Sequence, residues 1–187
     1  MRNFINLLTF SRILTGPIIL ILILFYANYL FAFAMFLVVS ITDYFDGFLA
    51  RKYKLESEMG AILDPIADKI LITFLFIAIA VELNSFFVAL MAGLILSREF
   101  WVSALRQFGS ISTGDIDATK VTFLAKIKTS IQFLAICSYL IGLMQNSSLI
   151  LFISDFILLA SMILTMKTGW NYTASTFQNS LFKDEKN

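Results

Sequence analysis

Four aspartates stand within 26 residues of a strongly apolar chain. Asp43 and Asp46 are three positions apart, and Asp64 and Asp68 are four apart, so each pair shares one face of a helix. Two adjacent helices carrying these pairs would form a pocket of carboxylate oxygens. Carboxylates this close repel one another, and hard cations such as Mg²⁺, Mn²⁺ or Ca²⁺ relieve the repulsion. Four carboxylates suffice for two ions, the arrangement that clamps a phosphoryl group from both sides.

The rest of the composition restricts the chemistry further. The chain contains no histidine, so acid–base catalysis must use carboxylates, Lys, Arg or hydroxyl groups. The alternative to a metal site is a set of structural salt bridges from the aspartates to Arg51, Lys69 and other basic residues. The sequence places too few basic residues close to the four acids for that alternative, and it therefore favours a metal site.

The elements that position these acids are expected to lie in a membrane. The chain is 59% hydrophobic and 14% charged, whereas a soluble domain has roughly 45–50% apolar and about 25% charged residues. Apolar stretches of about twenty residues can cross a bilayer as helices. We therefore predict one all-α polytopic membrane domain, residues 1–187, with a short interfacial helix at 2–10 and six transmembrane helices. The six predicted spans are 12–28, 31–51, 60–81, 85–107, 120–144 and 148–168.

The basic residues indicate the orientation of these spans. All fourteen Lys and Arg lie in the terminal segments, in the loops after the second and fourth spans, or in the adjoining halves of the spans. By the positive-inside rule, both termini and the acidic pocket face the cytoplasm, with the protein in the cytoplasmic (inner) membrane. The first apolar stretch is expected to be a retained helix and not a cleaved signal peptide. A net charge of +1 does not indicate a nucleic-acid partner.

The acidic segment also resembles a known family. Its spacing matches every fixed position of the CDP-alcohol phosphatidyltransferase signature, D-x2-D-G-x2-A-R-x8-G-x3-D-x3-D. The segments NLLTFSR, LDPIADK, SREFWVSALR and KIKT resemble the branch of that family that uses glycerol 3-phosphate. Two departures, Ile5 for a usual proline and Ala125 for a common glycine, affect loop geometry and leave the acidic cluster intact. The matched signature positions are Asp43, Asp46, Gly47, Ala50, Arg51, Gly60, Asp64 and Asp68.

The resemblance implies a reaction and roles for these residues. CDP-diacylglycerol and glycerol 3-phosphate would give phosphatidylglycerol phosphate and CMP, in a protein that forms homodimers. Asp43, Asp46, Asp64 and Asp68 would hold Mg²⁺ or Mn²⁺, and Asp68 would be the base for the acceptor hydroxyl. The residues expected at the CDP site are Asn6, Thr9, Arg12, Asp43, Gly47, Ala50, Arg51 and Gly60.

Four basic residues on the fourth and fifth spans are candidates for the acceptor site. Arg98, Arg106, Lys126 and Lys128 all lie toward the predicted cytoplasmic side, where a phosphorylated acceptor needs positive charge. For Arg106 and Lys126, the alternative is snorkelling to anionic lipid headgroups. Asp155, in the sixth span, lies far from the acidic cluster and is expected to be a hydrogen-bonded structural acid or a dimer contact.

Other functions stay open on the sequence alone. Within the same family, the acceptor could be inositol phosphate, serine or phosphatidylglycerol, although a cationic pocket disfavours an uncharged acceptor. From a different class, a cation transporter could use intramembrane carboxylates. Transport requires polar residues along the whole path, and the acids here are concentrated at one predicted membrane surface.

Overall fold

The computed structural model describes residues 2–53, 58–113 and 123–184, and describes side chains for residues 11–43, 45, 63–64, 66–105 and 127–176. These residues form helices without any strand, which confirms the predicted all-α class. The helices are α1 (Arg2–Leu24), α2 (Tyr29–Tyr53), α3 (Glu58–Glu82), α4 (Phe86–Thr113), α5 (Phe123–Gln145) and α6 (Ser148–Asp184).

The connections from α3 to α4 and from α5 to α6 are tight turns built by asparagine. Asn84 and Asn146 have φ angles of 46° and 48°, in the left-handed region that asparagine tolerates. The Ser85 amide donates to the Ala80 carbonyl at 3.1 Å, and the Ser147 amide donates to the Gly142 carbonyl at 3.0 Å. These bonds close the C-terminal turns of α3 and α5. The predicted gaps between the third and fourth spans and between the fifth and sixth spans are thereby confirmed, and each turn places consecutive helices side by side.

The helices pack as a bundle in which several neighbouring helices are not consecutive in the chain. α1 packs against α3 and α2, α6 packs against α5 and α4, and α2 also contacts α5. The fully buried core includes Ile19, Phe76, Ile95, Tyr139 and Leu158, which come from five helices. This arrangement brings α1, α2, α3 and α5 around one end of the bundle, where the acidic residues lie.

The outer surface of the bundle is apolar. Large side chains such as Phe25, Phe86, Phe152 and Trp170 are mostly exposed, which in water would be unfavourable. Among the described residues, Phe86–Leu105, Ile127–Gln145 and Ser148–Thr176 are long and apolar enough to cross a bilayer. Two shorter apolar stretches lie in α1 and α2. The expectation of a membrane protein is therefore confirmed.

The helix boundaries differ most from the predicted ones in α1 and α6. Residues 2–24 form one helix, so no break separates the predicted interfacial helix at 2–10 from the first span. The α6 helix continues to Asp184, sixteen residues beyond the predicted end of the sixth span at 168. Hydropathy marks only the apolar part of a helix, and the polar segment after Lys167 contains no proline to end it.

Asp155 has a structural partner inside the bundle. The Tyr139 hydroxyl donates to Asp155 Oδ1 at 2.5 Å, and the neighbouring Ser138 and Ser154 hydroxyls lie 2.6 Å apart. Both contacts join α5 to α6. The structure thus supports the prediction of a hydrogen-bonded structural acid at Asp155.

Candidate active site

The acidic cluster forms around one arginine from α1. Arg12 Nη2 lies 2.7 Å from Asp43 Oδ1, and Arg12 Nη1 lies 3.6 Å from Asp64 Oδ1 and 3.5 Å from Asp68 Oδ1. The arginine side chain is only 4% exposed, whereas the three aspartates are 38%, 41% and 48% exposed. A buried guanidinium therefore links the carboxylates of α2 and α3 and leaves their other faces accessible.

This geometry corrects one part of the sequence argument. The aspartates were expected to have too few basic partners nearby, and that expectation is wrong for three of them, because Arg12 lies within 3.6 Å of each. The periodicity of α1 alone could not reveal the contact, which depends on how α1 packs against α2 and α3. One guanidinium nevertheless offsets only one of three negative charges. Arg12 alone therefore does not neutralise the cluster when its carboxylates are ionised.

A cavity of about 530 Å³ opens beside this cluster. Its polar lining includes Arg12, Asp43 and Asp68, together with Thr129 and Ser130 of α5. Its remaining lining is mostly apolar and comes from α2, α3 and α5. Phe36 of α2 and Phe133 of α5 line it as a stacked pair, with ring centroids 4.9 Å apart. A cavity with a charged part and an apolar part suits an amphipathic ligand.

A second charged cluster joins α4, α5 and α6. Lys128 of α5 donates a hydrogen bond to Glu99 Oε1 of α4, and Arg98 Nη1 lies 3.5 Å from the same oxygen. Arg98 Nη2 also donates to Thr168 Oγ1 of α6 at 2.9 Å. Both cations are largely buried, with side-chain exposures of 10% for Arg98 and 7% for Lys128. Lys128 immediately precedes the cavity-lining Thr129, so α5 carries residues of both the basic cluster and the cavity.

Further contacts tie the two clusters to the same helices. Lys69, which follows Asp68 on α3, donates to the Ser103 hydroxyl of α4. Ser103 in turn donates to the backbone carbonyl of Glu99 at 2.8 Å. The position of α4, and with it the position of Glu99, is therefore linked to the acidic helix α3.

The structure brings some of the predicted site residues together. Arg12 contacts Asp43, Asp64 and Asp68. Arg98 and Lys128 both contact Glu99. Among the described side chains, no three carboxylates are grouped in a way that holds a metal ion, so metal binding stays a prediction. The predicted site residues whose side chains lie outside the described ones are Asn6, Thr9, Asp46, Gly47, Ala50, Arg51, Gly60, Arg106 and Lys126.

Sequence reasoning missed Glu99 and Thr168 as members of the basic cluster. Glu99 could have been found from its position beside Arg98, since an acid next to a buried arginine indicates a shared network. Thr168 gives no such signal, because it is one of several hydroxyl residues near the end of an apolar helix. Its role depends on the packing of α6 against α4.

These features agree with the similarity of the chain to known proteins. Residues 2–168 match the family model described as CDP-alcohol phosphatidyltransferase, and the chain belongs to that family. Relatives named CDP-diacylglycerol–glycerol-3-phosphate 3-phosphatidyltransferase are similar over much of the chain. The one from Rickettsia typhi is 36% identical over 92% of this chain and 96% of its own. The one from Cereibacter sphaeroides is 39% identical over 73% of this chain and 62% of its own. The one from Salmonella choleraesuis is 33% identical over 72% of this chain and 74% of its own.

The central position of Arg12 predicts a loss of stability when its charge is removed. Arg12→Ala should lower the free energy of unfolding in detergent by about 1–3 kcal/mol, because the carboxylates lose their shared partner. The loss should be smaller than the 3–5 kcal/mol or so of a fully buried pair, because the aspartates are partly exposed to solvent. Arg12→Lys should retain part of the stability, and Lys167→Ala, at an exposed position on α6, should have little effect. Thermal unfolding of the four proteins checks this, and an Arg12→Ala midpoint equal to that of the wild type would contradict it.

Proposed function

We propose that the protein transfers the phosphatidyl group of CDP-diacylglycerol to glycerol 3-phosphate, giving phosphatidylglycerol phosphate and CMP. The observation that carries this proposal is the cavity, in which an acidic cluster adjoins an apolar groove. That combination suits a lipid with a charged diphosphate head. The basic cluster, which shares α5 with the cavity, suits a second, phosphorylated substrate. Similarity to relatives named for this reaction, over 92% of the chain in one case, supports the same conclusion.

The chemistry of the acidic cluster is of the kind that would suit Mg²⁺ or Mn²⁺. Its described members offer carboxylate oxygens that converge on one cationic group, Arg12, and hard divalent ions prefer such oxygens. Asp43, Asp46, Asp64 and Asp68 would hold the ions, and four carboxylates are enough for two. The ions would supply positive charge against the diphosphate and the departing CMP. Residues expected to contact the CDP group are Asn6, Thr9, Arg12, Asp43, Gly47, Ala50, Arg51 and Gly60.

The bond changes of the transfer are those of a phosphoryl substitution. The acceptor hydroxyl oxygen bonds to the phosphorus that carries diacylglycerol, and the bond from that phosphorus to the bridging oxygen breaks. CMP leaves with the bridging oxygen and its electron pair. The proton of the hydroxyl goes to a carboxylate, because the chain contains no histidine. Asp68 is the proposed base, since it lines the cavity and is about half exposed.

The acyl chains of the donor would occupy the apolar part of the cavity and the lipid beside it. Phe36 and Phe133 would contact the chain nearest α2 and α5, because their stacked rings line the groove. The diphosphate would then lie at the acidic cluster. This placement keeps apolar groups in the bilayer and charged groups at its surface.

The topology proposed for this reaction has six transmembrane helices, both termini in the cytoplasm, and the site facing the cytoplasm. The three candidate spans, the two shorter apolar helices and the concentration of Lys and Arg on alternate connections support it. The water-soluble substrates would then reach the site from the cytoplasm, and the chain would act as a homodimer. Cysteines placed at Asn146 and near the C-terminus should be labelled from opposite sides of sealed vesicles. Labelling from the same side would contradict this topology.

An acceptor panel tests the proposed function. Purified protein supplied with CDP-diacylglycerol and Mg²⁺ should release CMP with glycerol 3-phosphate in strong preference to serine, inositol, inositol phosphate or phosphatidylglycerol. Isolation of phosphatidylglycerol phosphate identifies the product. Faster turnover with another acceptor would reject glycerol 3-phosphate and retain the family. Absence of CMP release with every acceptor, from folded protein, would reject the transferase activity.

The role of Asp68 predicts a loss of turnover without a loss of binding. Asp68→Asn keeps the size and one oxygen of the side chain but accepts a proton far less readily. Turnover should fall by about 10²–10⁴-fold, the usual contribution of a general base. Donor binding, measured by the change in thermal stability on adding CDP-diacylglycerol, should change little. Near-normal turnover would mean that another group accepts the proton.

The basic cluster predicts how the acceptor is held. Glycerol 3-phosphate brings negative charge to a site that already contains carboxylates and a diphosphate, so its phosphate needs cations of its own. Arg98 and Lys128 are buried and meet at Glu99, where a phosphate could compete for them. Arg106 and Lys126 are proposed to complete this site. A hydrogen bond to a charged group contributes about 1.5–3 kcal/mol, so Arg98→Ala or Lys128→Ala should raise the KM for glycerol 3-phosphate by about tenfold or more.

The KM for CDP-diacylglycerol should change much less in these variants, and Lys167→Ala is the matched control at an exposed cation. Steady-state kinetics with each substrate varied in turn checks the prediction. An unchanged KM for glycerol 3-phosphate in both Arg98→Ala and Lys128→Ala would remove this cluster from the acceptor site.

A further inference from the structure

One face of α6 carries polar side chains that contact the two neighbouring helices. Gln132 Nε2 of α5 donates to Thr165 Oγ1 at 3.5 Å, and Trp101 Nε1 of α4 donates to Thr173 Oγ1 at 3.2 Å. Between these two contacts, Arg98 Nη2 donates to Thr168 Oγ1 at 2.9 Å. Of the three, only the contact at Thr168 holds a charged group of the basic cluster.

The Thr168 hydroxyl is oriented to accept a hydrogen bond. It donates its own proton to backbone carbonyls of α6, with Oγ1 at 2.9 Å from the Leu164 oxygen and 3.0 Å from the Thr165 oxygen. Its lone pairs therefore remain for an incoming donor. The Arg98 guanidinium supplies that donor, so Thr168 fixes the direction of one terminal nitrogen.

Gly169 provides the space in which the Arg98 side chain lies. A Cβ atom at this position would be 2.6 Å from Arg98 Nε, 2.8 Å from Cγ and 3.2 Å from Cδ. The first two separations are shorter than atoms of these types tolerate. Because Cγ is near the base of the side chain, a small movement of the guanidinium tip would not relieve the overlap. The arginine would have to adopt another rotamer.

We propose that Thr168 and Gly169 of α6 are positioning residues for the acceptor phosphate, acting through Arg98. Both residues act on the arginine and not on the substrate. Gly169 leaves room for the aliphatic part of the Arg98 side chain. Thr168 holds Nη2, while Glu99 lies 3.5 Å from Nη1. The inference rests on the proposed role of Arg98 in binding glycerol 3-phosphate. It makes α6 a determinant of acceptor affinity, although the predicted sixth span ends at residue 168.

Substitution of the two positions separates positioning from structural support. Gly169→Ala should raise the KM for glycerol 3-phosphate by about tenfold, because it displaces the Arg98 guanidinium. The loss of thermal stability in this variant should be smaller than the free energy that corresponds to the rise in KM, since alanine favours a helix more than glycine does. Thr168→Val removes the hydroxyl and keeps the shape, so it should raise the same KM by about fivefold or more, whereas Thr168→Ser should restore it. The KM for CDP-diacylglycerol should stay near the wild-type value in all three.

Two matched controls are available in the chain. Gly93 lies on α4 with open space where a Cβ would be, so Gly93→Ala repeats the glycine substitution without the overlap. Thr173→Val removes an α6 hydroxyl that accepts from Trp101 and does not contact Arg98. Both variants should keep the wild-type KM for glycerol 3-phosphate.

A double-mutant cycle decides whether the effect passes through Arg98. In an Arg98→Ala background no guanidinium remains to be displaced, so Gly169→Ala and Thr168→Val should add no further increase in the KM. If Gly169→Ala and Thr168→Val raise the KM equally with and without Arg98, the inference is overturned. It is also overturned if neither substitution changes the KM when Arg98 is present. If Gly169→Ala does not fold, the isosteric Thr168→Val series carries the test. If Arg98→Ala by itself leaves the KM unchanged, Arg98 does not hold the acceptor phosphate, and the inference fails even if Lys128→Ala still shows a basic acceptor site.

Discussion

Three carboxylates and one guanidinium share a site at one end of an apolar helix bundle, and their charges do not balance. Arg12 lies within 3.6 Å of Asp43, Asp64 and Asp68, and it is the most buried of the four. A buried arginine requires carboxylate partners, and clustered carboxylates require cations. Each therefore accounts for the other, but Arg12 alone leaves part of the negative charge to be offset by further cations. In the proposed reaction, divalent ions fulfil that need and the diphosphate of the lipid approaches them.

The arrangement of the helices brings the parts of this site together. The contacts of α1 with α2 and α3 deliver Arg12 to aspartates of both helices. The contact of α2 with α5 forms the wall of the cavity in which Phe36 meets Phe133. The α5 helix also carries Lys128, one residue before the cavity-lining Thr129, so the same helix contributes to both the cavity and the basic cluster. The two charged clusters are thus carried by packed helices of a scaffold whose outer surface stays apolar.

Much of this could be predicted from the sequence, because it depends on local rules. Helical spacing places Asp64 and Asp68 on one face, and the asparagines at 84 and 146 end their helices through left-handed residues. The contacts that complete the site depend on packing between helices distant in the chain. Arg12 reaches Asp68 across 56 positions, and Arg98 reaches Thr168 across 70. Neither separation leaves a periodic signal, and hydropathy could not indicate that α6 continues as a helix to Asp184.

The requirement for divalent cations is the central claim, and CMP release under chelation tests it most directly. Purified protein with CDP-diacylglycerol and glycerol 3-phosphate should lose all CMP release in EDTA and regain it when excess Mg²⁺ or Mn²⁺ is added. Asp46→Ala should stay inactive after the ions are restored, while remaining folded in detergent. Turnover that persists in EDTA, or in Asp46→Ala, would contradict the account and would leave Arg12 as the partner of a purely structural acidic cluster.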